Sequence, residues 1–532
     1  MQNIALIIDT LQGGGAERCA ADLSRIFADR GFHVFIFTDL SISIGYEYKG
    51  TLVNFKVSMS DGKEWGNPIR YKVNELGKLK DRYHIDIAVS FMQGANYLNI
   101  LSKRKDKVIL TIHGVTSLYA KQEKSVIWAE ETFRELYQYA DVIMLPSDFC
   151  RRDWLEHYGD KNNITRTMYN PVHRMEIGEN RDKGNVVITV GRMHGDKRQW
   201  HLIKAFSLVK KMCPDSKLII LGDGELRAEQ ENMIKRFGLE NDVELPGNVK
   251  NVGDYLAKAK VFAMTSRCEA MSCSVLEALS AGVPVVACDC PGGMREELGI
   301  SYETKNSPYP LIGECGIITP YMEENGFENI SPEEEAFAEE MVRLLKDDGL
   351  RTRMAAAAGT MLQKFLPDAI GEAWVEDIFV NNLKREIDRE SFENVRDKSI
   401  GGYERLYVSY YRLLEKWMVL HERGGSVKQY FVSRDMKNVI LYGLGKMANH
   451  FIEDIKGSGI NIICGIDKMD IDRQSGFPVI RPDEGIPHAD CIIITPVHEA
   501  ENIKQKLELH TQVPLISLSD ILDDCLQENG NS

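Results

Sequence analysis

The sequence predicts an α/β protein of parallel, doubly wound sheets divided into more than one domain, and two observations carry this. Short apolar runs alternate with amphipathic, helix-length segments from end to end. The chain, at 532 residues, is also too long for one ordinary core.

Ile4–Ile8 reads as the first strand. Gly13-Gly14-Gly15 follows, then a helix with Ala16, Cys19, Ala20, Leu23, Ile26 and Phe27 at helical spacing and Gly31 at its C′ position. Val34–Phe37 is the next strand, and Ile85–Ser90, Val108–His113 and Val142–Pro146 continue the series. A second series begins at Val186–Val190 and runs through Lys217–Leu221, Val261–Met264 and Val283–Ala287. Two such sheets in succession imply paired domains with a cleft between them. In the helical segment that follows, Tyr403, Tyr407, Tyr410, Leu414 and Trp417 fall at 4-3 spacing, too short a run for a coiled coil, so packing on the chain's own domains is expected. A third α/β unit opens at Val439–Tyr442. The expected division is therefore 1–175, 176–382, a helical linker at 383–437, and 438–532.

Composition narrows the function classes. Apolar residues at 43% and charged residues at 27% exclude wholesale disorder. Lys+Arg of 65 against Asp+Glu of 79 gives −14, which argues against nucleic acid as a partner. No run approaches the ~20 apolar residues of a spanning helix, and no signal peptide is expected ahead of the first strand. Eleven scattered cysteines do not form a disulfide framework, so a reduced, cytoplasmic location is expected. Cys268, Cys273, Cys288 and Cys290 lack the paired spacing of a zinc site, and no metal is expected.

The most informative segment is Thr265–Gly282. A strand ends, a short loop follows, and a helix starts near Ser274, aiming backbone N–H groups and a positive dipole end into the crevice beyond the strands. That is a seat for a diphosphate. Glu269 on the loop and Glu277 inside the helix could accept hydrogen bonds from vicinal hydroxyls. Ser274-Val-Leu-Glu277 is equally a capping box, S-x-x-E, and that structural reading stands beside the functional one. Arg192 and Lys197, after the strand ending at Val190, supply cations suited to phosphate oxygens. Gly222-Asp223-Gly224 follows the next strand, where a plain turn explains it as well.

Gly14-Gly15-Ala16-Glu17, His113, Gly191-Arg192 with Lys197, Gly222-Asp223-Gly224 and the Glu269-(seven residues)-Glu277 pair occur in the order seen in the retaining glycosyltransferases of family four. The chain resembles that family over about 1–380. The resemblance implies a GT-B fold, two Rossmann-like domains facing a cleft, with the acceptor side on the first and the donor on the second. By the same resemblance Arg192 and Lys197 bind the donor diphosphate, Glu277 the ribose and Glu269 the transferred sugar. The amides of Ser274 and Val275 also meet phosphate, His113 sits beside the sugar, and Gly14 and Gly15 bring the first domain's loop to the cleft. Ala270, Cys268 and Arg198 depart from the family's usual residues, so no sugar preference carries over.

The resemblance also implies a nucleotide-sugar (UDP- or GDP-linked) donor, no required cofactor, and a glycan or lipid-linked acceptor in cell-envelope or exopolysaccharide assembly. Peripheral contact at the inner face of the membrane is a further expectation, for which Lys103-Arg104-Lys105 is a small basic patch. In the third unit, Gly443-Leu-Gly445 lies between strand and helix, and Asp467 follows 22 positions after Gly445. This segment resembles accessory Rossmann-like modules of polysaccharide-biosynthesis enzymes, with Gly443, Gly445 and Asp467 as nucleotide-binding residues. The alternatives are an NAD(P)-dependent nucleotide-sugar-modifying enzyme that uses this unit, and a catalytically degenerate scaffold of a polysaccharide assembly.

Overall fold

A computed structural model describes residues 2–38, 44–55, 68–118, 130–175, 184–302, 307–323, 329–377, 386–467, 477–482 and 484–530. The expected boundaries at 176 and 383 lie outside the described residues.

Three sheets form. The first comprises β1 (Asn3–Ile7), β2 (His33–Thr38), β3 (Thr51–Asn54), β4 (Ile87–Phe91), β5 (Lys107–Thr111), β6 (Val142–Leu145) and β7 (Thr165–Thr167), in the order 3-2-1-4-5-6-7 with every pairing parallel. Its central strands β4 and β5 are buried at every position, as expected of a parallel sheet covered on both faces. Helix α1 (Gly15–Asp29) joins β1 to β2, and α2 (Pro68–Arg82), α3 (Met92–Leu101) and α4 (Asp148–His157) complete its cover.

The second sheet holds β8 (Val186–Val190), β9 (Lys217–Leu221), β10 (Val243–Gly247), β11 (Val261–Met264), β12 (Val285–Cys288), β13 (Leu311–Ile312) and β14 (Gly316–Thr319). The order is 10-9-8-11-12-14-13, parallel except for the β13–β14 pair. Helices α5 (Gln199–Met212), α6 (Arg227–Arg236), α7 (Val252–Lys258), α8 (Cys273–Ser280), α9 (Met294–Glu297), α10 (Pro332–Lys346) and α11 (Asp348–Met361) belong to this half. In both sheets the strand order reverses beside the first strand, at β1/β4 and β8/β11, which opens a crevice at the strands' carboxyl ends.

The segment after α11 does not stay with the second sheet. Helix α12 (Pro367–Val375) lies on α1, the rings of Phe27 and Trp374 being 5.7 Å apart, and Ile370 joins the first domain's core. The chain therefore passes between the domains twice. The two crossings are bonded to each other, since the Val172 N–H donates to the Phe365 carbonyl at 2.8 Å and the Tyr169 and Phe365 rings are 4.9 Å apart.

The bulk of a second compact unit runs from Arg396 onward. Its sheet has β15 (Asn438–Tyr442), β16 (Asn461–Ile466), β17 (Val479–Ile480), β18 (Cys491–Ile494) and β19 (Leu515–Ser517) in the order 17-16-15-18-19, all parallel. The 34-residue helix α13 (Arg389–Glu422) buries Leu413, Trp417 and Leu420 against this sheet's core. Trp417 packs as expected, but Tyr407 and Leu414 are exposed.

The basic patch expected at Lys103-Arg104-Lys105 does not form. Lys103 is buried in an ion pair with Asp141 and Arg104 lies 3.7 Å from Asp81, which leaves Lys105 alone exposed. No described helix is long and apolar enough to cross a membrane.

Candidate functional site

The loop after β8 and the loop after β11 meet at the carboxyl edge of the second sheet. Thr265, just past β11, donates through Oγ1 to the Arg198 carbonyl at 3.0 Å, and Arg267 bonds Asp196 at 2.7 Å. This join places Lys197 Nζ 2.5 Å from Glu269 Oε1, to which Ser266 Oγ also donates at 2.6 Å. Burial alone would lower the Lys197 ammonium, but the Glu269 carboxylate beside it more than reverses that and holds it above its ordinary value. Arg192 on the same loop is exposed. Arg198 is turned away, buried, with Nη1 donating to the Tyr321 hydroxyl at 3.0 Å and the Met322 carbonyl at 2.8 Å.

Glu269 is held by backbone. Its N–H donates to the Pro291 carbonyl at 3.0 Å, and its carbonyl accepts from Gly293 at 2.9 Å. Gly292, at φ +135°, is where a Cβ would run into that carbonyl. The Pro291-Gly292-Gly293 turn was not singled out from the sequence, although adjacent glycines after a strand are a visible signal of close approach.

Helix α8 starts one residue earlier than expected, and Ser272 is its N-cap. The capping box at Ser274–Glu277 is thereby corrected: no side-chain cap bond is present. The Ser272 N–H goes instead to Glu297 Oε1 at 2.7 Å, and burial pushes that carboxyl well above the usual carboxylate range. The first-turn amides, those of Ser274 and Val275 included, have no preceding helical carbonyl to bond, so they point outward with the helix dipole. Gly222-Asp223-Gly224 is a packing feature, since a Cβ on either glycine would collide with the backbone of Gly191 or Met193.

The N-terminus of α1 faces that of α8. Gly14 is the N-cap of α1, and Gly15 comes within van der Waals reach of Cys273 Sγ, at 4.0 Å from where its Cβ would stand. Arg18 crosses the cleft to form an ion pair with Glu277, a contact not foreseen from the sequence. Asp22, one turn on, lies 4.0 Å from Arg18 Nε and 2.7 Å from Nε2 of His173 in the first crossing segment. Burial raises the Glu17 carboxyl, an effect that the Arg192 charge partly opposes.

His113 lies two residues beyond β5, with Nε2 2.9 Å from Thr111 Oγ1 and its ring stacked 5.8 Å from Phe91. Thr111 spends its own proton on the Ser90 carbonyl at 2.7 Å, so Nε2–H is the donor and Nδ1 the acceptor nitrogen. Burial lowers the imidazole to about 4, so it is neutral at physiological pH. The described contacts of His113 are all within the first domain. Among the described residues no group of His, Cys, Asp and Glu could hold a metal ion.

In the third sheet, Gly443 (φ +82°) packs where a Cβ would meet Pro496, and Gly445 is the N-cap of α14 (Lys446–Asp454) with open space around it. Asp467, at the end of β16, accepts the Leu444 N–H at 2.9 Å and so shapes that loop.

Comparison with known proteins agrees with this fold. Residues 13–174 match the model of Glycosyltransferase Family 4 and residues 174–303 that of Glycosyl transferases group 1. An uncharacterized glycosyltransferase of Methanocaldococcus jannaschii is 32% identical over 244 residues, 42% of this chain and 59% of that protein. A 4-alpha-N-acetylgalactosaminyltransferase of Campylobacter jejuni, named for a diphospho-undecaprenol-linked sugar, is 28% identical over 327 residues, 58% of this chain and 87% of that one. Among solved structures, Anabaena HepE in complex with UDP superimposes with a TM-score of 0.56 at 19% identity, covering 71% of this chain and 99% of HepE. The two family models together span residues 13–303, more than half of the sequence, and by these matches the chain belongs to the glycosyltransferases, with the GT-B fold.

Proposed function

We propose that the protein is a retaining glycosyltransferase moving a sugar from a UDP- or GDP-linked donor to a glycan or lipid-linked acceptor, in cytoplasmic steps of cell-envelope or exopolysaccharide assembly. The observation that carries this reading is the convergence of Lys197, Glu269, Glu277 and the α8 N-terminus on one crevice. On this reading residues 1–175 form the acceptor side, 176–382 the donor side apart from α12, which returns to the first domain, 383–437 a linker and 438–532 an accessory unit.

Arg192, Lys197 and the amides of Ser274 and Val275 stabilise the charge that develops on the departing nucleotide, which is electrostatic catalysis. Glu277 holds the ribose, and Glu269, steadied by Lys197, meets the transferred sugar. Gly14 and Gly15 let the α1 N-terminus approach the phosphates. His113, as a neutral imidazole, offers the Nδ1 lone pair to a sugar hydroxyl. Both carboxylates of the crevice are already ion-paired, which supports same-face attack without a protein nucleophile.

The lipid-linked part of the reading draws on the Campylobacter relative's name and brings the protein to a membrane surface through its acceptor, with no role for Lys103. In the accessory unit, Gly443 and Gly445 are the residues we assign to a nucleotide-type ligand, with Asp467 positioning their loop. Screening a panel of nucleotide sugars for thermal stabilisation and hydrolysis tests the function, and the anomeric configuration of the product tests retention. No stabilisation by any nucleotide sugar would remove the donor assignment.

A further inference from the structure

Arg18 stands on the first turn of α1 and is ion-paired to Glu277 of the other domain. On the reading above, Glu277 holds the donor's ribose. We propose that Arg18 is a placeholder for the donor, its guanidinium occupying the carboxylate that takes the ribose diol. The inference rests on that assignment of Glu277.

The surroundings fit an exchangeable contact. Arg18 is part-exposed, about 30% of its side chain, so water and ligand reach it, while Glu277 is almost covered. Asp22 gives Arg18 a second carboxylate one turn along α1, and Asp22 is itself anchored by His173. When a ribose takes Glu277, the guanidinium therefore has a local partner to fall back on. Donor entry thus trades a protein–protein contact for a protein–donor contact, and Arg18 sets donor affinity from the acceptor-side domain.

The test is calorimetric titration of the full-length protein with UDP and GDP, and with uridine and guanosine, which carry the ribose without the phosphates. Arg18→Gln should tighten the nucleoside of the diphosphate that binds wild type by about two- to five-fold, the yield of releasing one part-exposed ion pair. Glu277→Gln should act in the opposite direction. Arg18→Lys, which keeps the charge and loses the fork, gives a gentler variant with an intermediate affinity if Arg18→Gln fails to fold. Normal wild-type binding beside unchanged or weaker binding in Arg18→Gln overturns the proposal. A wild-type protein that binds neither UDP nor GDP instead sinks the donor-site reading itself, and the placeholder with it.

Discussion

Glu296 of the second domain accepts the backbone N–H of Phe149 in the first at 2.8 Å, and its other oxygen accepts that of Asp148 at 2.9 Å. A carboxylate from one domain thereby caps a helix of the other, on top of the Ser147 side-chain cap that α4 already has. Tyr302 and Tyr169 donate hydroxyl protons to the same carboxylate at 2.9 and 3.4 Å. Loss of these charge-assisted bonds in Glu296→Ala should cost about 1.5–3 kcal/mol and lower the melting temperature. Glu296→Gln, with one acceptor kept, should lose less. A melting temperature unchanged in both would show that the contact contributes nothing to the folded state.

Lys197→Ala removes a phosphate cation and leaves Glu269 with Ser266 as its remaining described side-chain partner. Arg192→Ala removes the exposed cation of the same loop. Each should weaken donor binding by roughly 1.5–3 kcal/mol, one to two decades, without unfolding the protein. Wild-type kinetics in either variant with a cognate donor takes that residue out of the site.

Gly292→Ala tests how far Glu269 depends on backbone support. The new Cβ would meet the Glu269 carbonyl at a φ of +135°, which L side chains rarely adopt. We expect a stability loss of about 1–3 kcal/mol together with lost transfer, because the displaced residue is the one assigned to the sugar. Full activity at lowered stability would separate the turn from the chemistry.

The His113 imidazole makes stability depend on pH with a definite sign. Its pKa falls from 6.5 to about 4 on folding, so between those values the unfolded chain binds more protons than the folded one. Stability then rises with pH across that window and is complete above about 6.5, the contribution being about 2–3 kcal/mol. His113→Asn should flatten the slope of unfolding free energy between pH 4 and 6.5 relative to wild type. An unaltered slope would mean that His113 is not the group responsible.

Gly443→Val probes the accessory unit. The side chain would run into Pro496 and should destabilise that unit, which melting followed by far-ultraviolet circular dichroism would register. Sugar transfer should persist. Transfer abolished in a variant whose remaining transition is normal would favour the NAD(P)-dependent alternative.

The strands of the two large sheets were readable because fully buried parallel strands are continuous apolar runs, and β8, β9 and β11 lie where those runs are. The edge elements were not. β3 is a mostly exposed Thr-Leu-Val-Asn stretch, and β10 carries Pro246, so neither shows the apolar run that marked the others. The spacing of Lys197, Glu269 and Glu277 was visible as a motif, yet their partners depended on tertiary approach. Local pattern offered Ser274 as a cap, while Glu297, from a helix beyond the next strand, took the Ser272 N–H. Likewise nothing in the sequence around Arg18 marks its pairing with Glu277, which depends on two helix N-termini meeting. The return of α12 to the first domain was invisible for a different reason: nothing in Pro367–Val375 says which of two apolar surfaces it will cover.

That return has a consequence for how the protein is made. The face of α1 around Phe27 is sealed by Ile370 and Trp374, residues that leave the ribosome only after the whole second sheet. The second domain is continuous in sequence and can close as soon as it emerges, whereas the first, although synthesised earlier, must wait with an open apolar flank. Vectorial synthesis therefore completes the domains in the reverse of their order in the chain, and a nascent polypeptide halted near residue 360 is the species most in need of a chaperone.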